Sequence, residues 1–482
     1  MKVVWFVLLA GSSFTLSAAA RAQTGPTGFA SGGGADEPVR RWSHAEPASS
    51  TAGHRVADDV RAMVAEMLAE ARSRHSLLAA GDGPAGCTGG HDGRFFVASA
   101  DNRFRLNFSG QIQLRYYAVF RDSGSAPTGV AGNDNALEGG FQMRRARLRL
   151  SGHAVDPDLT YVVMGEFTDV SGGGNMILRD ALVAYKLGDG WAVKVGQFKP
   201  PFVREEYMDD AKRLAVETSQ ATAAFVQGRS QGVELGYSRP DHRVLLLLFD
   251  GLNTANTDFA TAAGAPSAAE SDYAFTGRVD WSPVGKVSDF DEFSSGHDSP
   301  WVFNLGCALL VQGSSNTRDT GGGGGQADTT LLGYTADAML KGAGWNFYAQ
   351  FMGMSAHRPN VPPQIAAAST DDYGLMTQAG YRFLKHDEAF IRYDATFYDS
   401  DRGFVDDRQD FLTLGLIHYF AGHAAKLTAD VVVALQPTTN AAGAILVPTL
   451  FSGASTVTTG GGGLRSTDAG AAAVRVQMQV LF

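Results

Sequence analysis

The sequence of 482 residues predicts an all-β fold, a transmembrane β-barrel of about sixteen antiparallel strands with an N-terminal helical extension. Three observations predict it. Long segments alternate apolar and polar residues with a period of two, the pattern of a strand with one face in lipid and the other in water. Between them, brief turns alternate with long polar loops, the asymmetry of a membrane barrel with its periplasmic and extracellular rims. No stretch reaches the roughly 18 continuous apolar residues of a spanning helix. The composition agrees: 58 glycines and 44% hydrophobic residues at a mean hydropathy of −0.10 suit a barrel better than a polytopic helical protein. A formal net charge of −10 argues against nucleic acid as a partner.

Residues 1–22 read as a secretory signal peptide. Lys2 gives the positive start, Val3 to Ala10 the apolar run, and Ala20-Arg21-Ala22 a small-residue cleavage site. Residues 23–55, rich in Gly, Ala, Ser and Pro without periodicity, read as a flexible linker. Over 56–80, Val56, Val60, Met63, Met67 and Ala71 recur at spacings of four, three, four and four, which predicts an amphipathic helix with a short coiled-coil stripe. About two heptads are marginal alone, so the helix needs copies of itself or another surface to pack on. Gly81 to Gly93 ends it, and the barrel is expected over 95–482.

The first strand sets the pattern. Leu106, Phe108, Gly110, Ile112, Leu114, Tyr116, Ala118 and Phe120 are apolar or small, while Arg105, Asn107, Ser109, Gln111, Gln113 and Arg115 intervene. That run is longer than soluble strands usually are. Similar segments follow near 141–153, 159–167, 177–187, 191–199, 229–238, 243–249, 273–281, 301–312, 330–340, 345–354, 373–383, 389–398, 411–420, 425–435 and 473–482. One connection, 282–300, is long where a short turn is due. The last strand, AVRVQMQVLF from Ala473 to Phe482, keeps Val474, Val476, Met478, Val480 and Phe482 on one parity. It is expected to close the barrel against 104–120.

The polar parity carries arginines. Arg105 and Arg115 on the first strand, Arg145, Arg147 and Arg149 on the second, and Arg278, Arg392 and Arg475 further on are expected to face the lumen. On the lipid face each would cost about 2–4 kcal/mol at the midplane. Guanidinium groups stay charged and present planar forks of donors to carboxylate and phosphate oxygens, a physical basis for drawing anions through a pore. The opposite reading is that Glu166, Asp180, Asp280, Asp394 and Asp430, also on strands, neutralise them. Sequence alone leaves both open.

FSGQIQLRYY (Phe108 to Tyr117) and FQMRRARLRLSG (Phe141 to Gly152) open a run of matches that continues with VKVGQFKPPFVREE (Val193 to Glu206), QGRSQGVEL (Gln227 to Leu235) and FTGRVDWSP (Phe275 to Pro283). In this the chain resembles the phosphate-selective porin O and P family. The resemblance implies a sixteen-stranded homotrimeric porin in outer-membrane lipid, passing small anions or other small hydrophilic solutes without a cofactor. It implies that the third long loop, about 199–228, folds into the lumen as a constriction. That loop carries Lys199, Arg204, Lys212 and Arg213 with Glu205, Glu206, Asp209, Asp210 and Glu217, a mixed and slightly acidic set. The family's lysine cluster is not reproduced there. Phe482 matches the terminal aromatic by which outer-membrane barrels are recognised for insertion.

Rival functions have little support in the residues. No Ser–His pairing follows from spacing, so no catalytic residue is expected. Cys87 and Cys307 lie outside any CxxC motif, and no metal site is expected. A structural alternative has the 56–80 helix tether the barrel to the envelope from the periplasm.

Overall fold

The computed structural model describes residues 86–121, 137–168, 176–225, 228–252, 273–314, 329–357, 368–402, 407–438, 464, 466 and 468–482. The chain divides into two units, 1–78 and 79–482, and every described residue belongs to the second. The expected signal peptide, linker and 56–80 helix lie outside the described residues.

Among the described residues, eighteen strands form one sheet. A short hairpin comes first, β1 (Cys87–His91) and β2 (Phe95–Ser99). The barrel follows: β3 (Arg105–Phe120), β4 (Leu137–Ala154), β5 (Asp156–Glu166), β6 (Ile177–Gly188), β7 (Trp191–Phe198), β8 (Ser230–Ser238), β9 (His242–Phe249) and β10 (Tyr273–Val284). It continues through β11 (Val302–Ser314), β12 (Thr329–Gly342), β13 (Trp345–His357), β14 (Ser369–Leu384), β15 (Asp387–Phe397), β16 (Arg408–Tyr419), β17 (Ala425–Ala434) and β18 (Ala472–Leu481). Each pairs antiparallel with its neighbour, and β18 returns to β3 to close a sixteen-stranded barrel. All sixteen lie where the alternation puts them, within a few residues at each end. Closure leaves no barrel edge to pair with another chain.

Alternation becomes inside and outside. In β10 the exposed Tyr273, Phe275, Val279 and Trp281 alternate with the buried Ala274, Thr276, Arg278 and Asp280. Outward residues such as Leu309, Leu246 and Ile391 remain exposed at 60, 54 and 47%, as side chains meant for lipid should. Aromatic residues ring both rims. Trp191, Tyr237, Trp281 and Trp345 lie toward the short turns, with Trp345 stacked on Tyr381 at 4.2 Å between centroids. Tyr116, Phe141, Tyr273, Phe351 and Tyr373 lie toward the long loops. Such girdles suit the two membrane interfaces.

The seam is built where expected. Ala472 to Leu481 pair with Phe120 to Gln111, and Phe482 exchanges backbone hydrogen bonds with Gly110 at 2.7 and 3.1 Å. Below that point the same edge of β3 is taken over by β2, from Phe95 opposite Phe108 to Ala98 opposite Arg105. The β1–β2 hairpin has no counterpart in the sequence reading, because CTGGH and FFVAS are too short and too irregular to show a period. Gly110 has no side chain because the Phe482 ring lies over it; a Cβ there would meet ring carbons at 2.3 and 2.8 Å and the Arg147 carbonyl at 2.9 Å. Deleting Phe482 removes two seam hydrogen bonds and this cover. It is expected to lower the yield of heat-modifiable, assembled barrel several-fold while leaving the conductance of each assembled pore unchanged, as gel mobility and single-channel recording would read.

The long connection on the short-turn side contains the missed element. After β10 the chain makes a 3-10 turn at Val287–Phe290 and folds inward, burying Phe290 and Phe293 at 1% exposure each. Phe293 meets Tyr348 edge-on at 5.0 Å, Ser294 Oγ donates to Glu388 Oε2 at 2.9 Å, and Lys341 Nζ donates to the Glu292 carbonyl at 2.8 Å. This plug is an amphipathic segment, so a search for alternation overlooks it.

Candidate functional site

The third long loop, 199–229, enters the barrel and crosses it. It forms two short helices, α1 (Arg204–Tyr207) and α2 (Gln220–Ala224). Apolar residues seat it on one side: Phe202, Val203, Ala221, Ala224 and Phe225 pack with Leu247, Leu310, Met352 and Met354 of the wall. Lower down, Met208, Leu214 and Ala215 pack with the plug's Phe290 and Phe293 and with Met339, Tyr348, Met376, Phe390 and Ile417. Loop and plug together pack against the wall from β11 to β17. Sixteen strands make a barrel wide enough for an aqueous lumen; here part of that width is occupied by chain.

Polar contacts fix the loop around the wall. Glu217 accepts from Arg115 Nη2 at 2.6 Å and from Arg145 Nη2 at 3.3 Å, and also pairs with Arg144. Asp210 pairs with Arg145 Nε at 2.9 Å and Arg147 Nη1 at 2.6 Å. Across the barrel, Arg204 pairs with Asp280 at 2.6 Å, with Asp337, and with the Asn304 side chain at 2.6 Å. Glu205 accepts from Ser219 Oγ at 2.6 Å and pairs with Arg392 at 3.3 Å. Backbone donors join in: Val216 N–H to Asp430 at 2.9 Å and Ala221 N–H to Asp394 at 3.0 Å. Burial alone would raise the Glu217 carboxyl, but Arg144, Arg145 and Arg115 outweigh it and hold it well below the usual carboxylate range. Asp210 is held well down in the same way, chiefly by Arg147 and Arg145.

These contacts locate the sequence-predicted residues. Arg115, Arg278 and Arg475 face inward but are closed off, at 0, 1 and 1% exposure. Arg278 pairs with Asp337 at 2.7 Å and donates Nη1–H to the Phe202 carbonyl at 2.9 Å; Arg475 grips Asp430 through two bonds of 2.6 and 2.8 Å. Arg392 adds a bond to the Glu217 carbonyl at 2.9 Å. Arg147 reaches Glu166 at 3.3 Å. Arg105 sits at the short-turn end instead, over the Phe96 ring and paired with Asp92 of the hairpin. In the loop, Lys199 donates to the Glu206 carbonyl at 2.8 Å, Glu206 pairs with Arg213 at 3.3 Å, and Asp209 caps Ala211 N–H at 3.0 Å. Wall arginines therefore neutralise Glu205, Asp210 and Glu217, and Glu206 is met by Lys199 and Arg213 of the loop itself. Among the described residues, Arg149 and Lys212 have no hydrogen-bonding or ionic partner for their charged groups, and both are half-buried.

Among the described residues, loop and plug leave an opening against β3 to β8. A cavity of about 610 Å³ reaches from Arg94, Ala424 and Phe482 near the short turns to Lys199 and Arg229 near the long loops. Its charged lining is cationic: Arg94, Arg147, Arg149, Lys194, Lys199, Lys212 and Arg229 against Asp180, Asp209 and Asp210. Lys194 pairs with Glu234 at 2.8 Å and Arg229 with Asp180 at 2.7 Å. Lys194, Arg229 and Arg144 were not among the expected pore residues. Lys194 stands on the inward parity of β7 beside Gly196 and Phe198, so parity could have found it; Arg144 is at a register shift in β4, which hides it.

Gly228 to Gly232 reads Gly-Arg-Ser-Gln-Gly, by letter the pattern of a hydrolase nucleophile elbow. Here Ser230 opens a strand, is 2% exposed, and donates its hydroxyl to the Gly251 carbonyl at 2.6 Å. It is tied down rather than presented. Cys87 and Cys307 are both free, and no group of metal-ligating side chains occurs among the described residues.

Against known proteins, residues 122–434 match the family described as phosphate-selective porin O and P. The chain belongs to that family. The porin also shares its fold with the outer membrane channel DcaP of Acinetobacter baumannii, at TM-score 0.51 and 12% identity over 80% of this chain and 99% of that one. OmpF of Salmonella typhi gives TM-score 0.50 and 13% identity over 79% and 99%. Identities this low show the fold alone. No curated protein matches the sequence. The protein is an outer-membrane porin, and its lumen is rich in arginine.

Proposed function

We propose that this porin passes small hydrophilic anions in preference to cations, along the cavity between the third loop and the β3–β8 wall. The observation that carries the reading is the unequal lining of that cavity. Carboxylates engage Arg147, Lys194, Lys199 and Arg229, while Arg149 and Lys212 have none. Unpaired cations in a confined aqueous path raise the local concentration of anions and repel cations. Of the expected arginine file, Arg149 and Arg147 line the path, Arg147 paired with Asp210, and Arg145 stands behind the same carboxylate. Arg115, Arg278, Arg392 and Arg475 serve chiefly to hold the loop and wall together. Phosphate is one anion that an arginine fork accepts, and the family's description favours it.

The functional unit is proposed to be a homotrimer, with the N-terminal extension in the periplasm. The hairpin that precedes β3 adds to the barrel on the short-turn side, which supports that placement. Reversal potentials in a potassium chloride gradient test the anion reading. The double substitution Arg149→Gln, Lys212→Gln is expected to shift the reversal potential toward zero and to cut the chloride-to-potassium permeability ratio several-fold. An unchanged ratio would remove these two residues from the path.

A further inference from the structure

We infer that the cavity holds a subsite for organic anions with an apolar body, in addition to small hydrated ions. The inference rests on the cavity being the conducting path and deepens that reading. Porin interiors are expected to be polar, yet four of this cavity's lining residues are Val162, Met164, Leu182 and Phe198. Val162 and Leu182 stand directly opposite each other across β5 and β6, and both are half-buried, so each keeps surface facing the cavity. Met164 and Phe198 are closed off at 8 and 4% exposure and back the patch.

The cations stand beside this patch. Arg149 lies directly opposite Met164 across β4 and β5, one inward position from the Ser151–Val162 pair. Its guanidinium has no acidic partner among the described residues. Lys194 holds its ammonium 3.9 Å over the centre of the Phe198 ring, at the other margin. Neighbouring strands are roughly 4.7–4.9 Å apart, so the span from Arg149 on β4 to Leu182 on β6 is on the order of 10 Å. That is the length of a small organic acid whose carboxylate takes the guanidinium fork and whose body covers Val162 and Leu182. A cavity of about 610 Å³ is within the size range of small-molecule sites. Hydrated inorganic ions gain nothing from apolar surface, whereas an organic anion gains by the area it removes from water.

The test uses the full-length porin in planar bilayers carrying a chloride current, with benzoate or acetate added to one side. Both carry one carboxylate; only benzoate has a ring. Covering roughly 55 Å² of apolar surface is worth a factor of about ten, so benzoate is expected to halve the current at about one-tenth the acetate concentration. Leu182→Gln is expected to abolish the difference while chloride current persists; Val162→Thr, a smaller change, is expected to reduce it and serves if the first variant does not assemble. Equal potency of the two acids in the wild type overturns the subsite and leaves the channel reading intact. A benzoate advantage that survives both substitutions also overturns it. Wild-type protein that assembles but carries no current overturns the channel reading, and the subsite with it.

Discussion

Replacing Glu217 by alanine is expected to release the third loop from the wall. Glu217 is 6% exposed and is the common counter-charge of Arg115, Arg144 and Arg145. Truncating it leaves a cluster of like charges in a closed space, and breaking a buried pair from one side typically costs about 3–5 kcal/mol. Arg145 keeps Asp210, but Arg115 retains only the Gln477 side chain and the Val216 carbonyl. The loop's other anchors, Arg204 with Asp280 and Asp337, lie across the barrel and persist. The expected result is a noisier channel of higher mean conductance and stronger anion preference, seen in single-channel records, with a lower melting temperature. Unaltered conductance would mean that the loop is held by its apolar face alone. Acid acts on the same lock. Because Glu217 and Asp210 are depressed in the folded protein, their stabilisation is complete above the ordinary carboxylate range and is lost as pH falls below it. The E217A phenotype is therefore expected from the wild type at strongly acid pH, and not between pH 6 and 8.

The second large effect is expected from the plug. Val284 pairs with Phe303, so a tight turn in place of residues 286–301 keeps the β10–β11 register. The deletion removes Phe290 and Phe293 from beneath Met208 and Leu214 of the loop and from the Tyr348 ring. Large-to-small changes at buried aromatics cost about 3–5 kcal/mol each, so the barrel should melt earlier. It should also conduct several-fold better, because water gains the half of the lumen beside β11 to β17. The plug leaves behind one charge of each sign, Glu388, which accepts from Ser294 Oγ, and Lys341, which donates to the Glu292 and Ser294 carbonyls, so the added path is close to neutral where the β3–β8 path is cationic. Anion preference should accordingly fall as conductance rises, opposite in sign to the Glu217 variant. Equal selectivity in both would contradict the division of the lumen.

Much of this was legible in the sequence, for a physical reason. A strand between lipid and water tends to alternate, and that pattern, with the turns and loops that bound each segment, places all sixteen barrel strands, including β5 and β9, which are apolar on both parities in part. The inward parity of the arginines was legible as well. Their partners were legible only in part. Asp280, Asp430 and Glu166 share the wall with Arg278, Arg475 and Arg147, and strand parity names them as candidates. Glu217, Asp210 and Glu205 reach the wall from a loop whose path has no period, so their pairing with Arg115, Arg145 and Arg392 depends on three-dimensional closure. The apolar patch was hidden for another reason. Tyr161 to Met164 is apolar on both parities, so no alternation marks which residues face in. Lys212 shows the converse: it sits in an acidic-looking loop, yet it is left a free cation because Glu205, Asp210 and Glu217 turn to the wall and Glu206 pairs with Lys199 and Arg213.

If solute passes beside β3 to β8 and not through the half packed by loop and plug, thiols placed in the two halves should differ in their access to a water-soluble reagent. Cysteine accessibility tests this most directly, in a background with Cys87→Ser and Cys307→Ser. Leu182→Cys places a thiol on the proposed path, and Met376→Cys places one in the packed half. An anionic, water-soluble methanethiosulfonate reagent should cut the current through Leu182→Cys by more than half within seconds and leave Met376→Cys unmodified. Rapid block at Met376→Cys, with Leu182→Cys indifferent, would contradict the account.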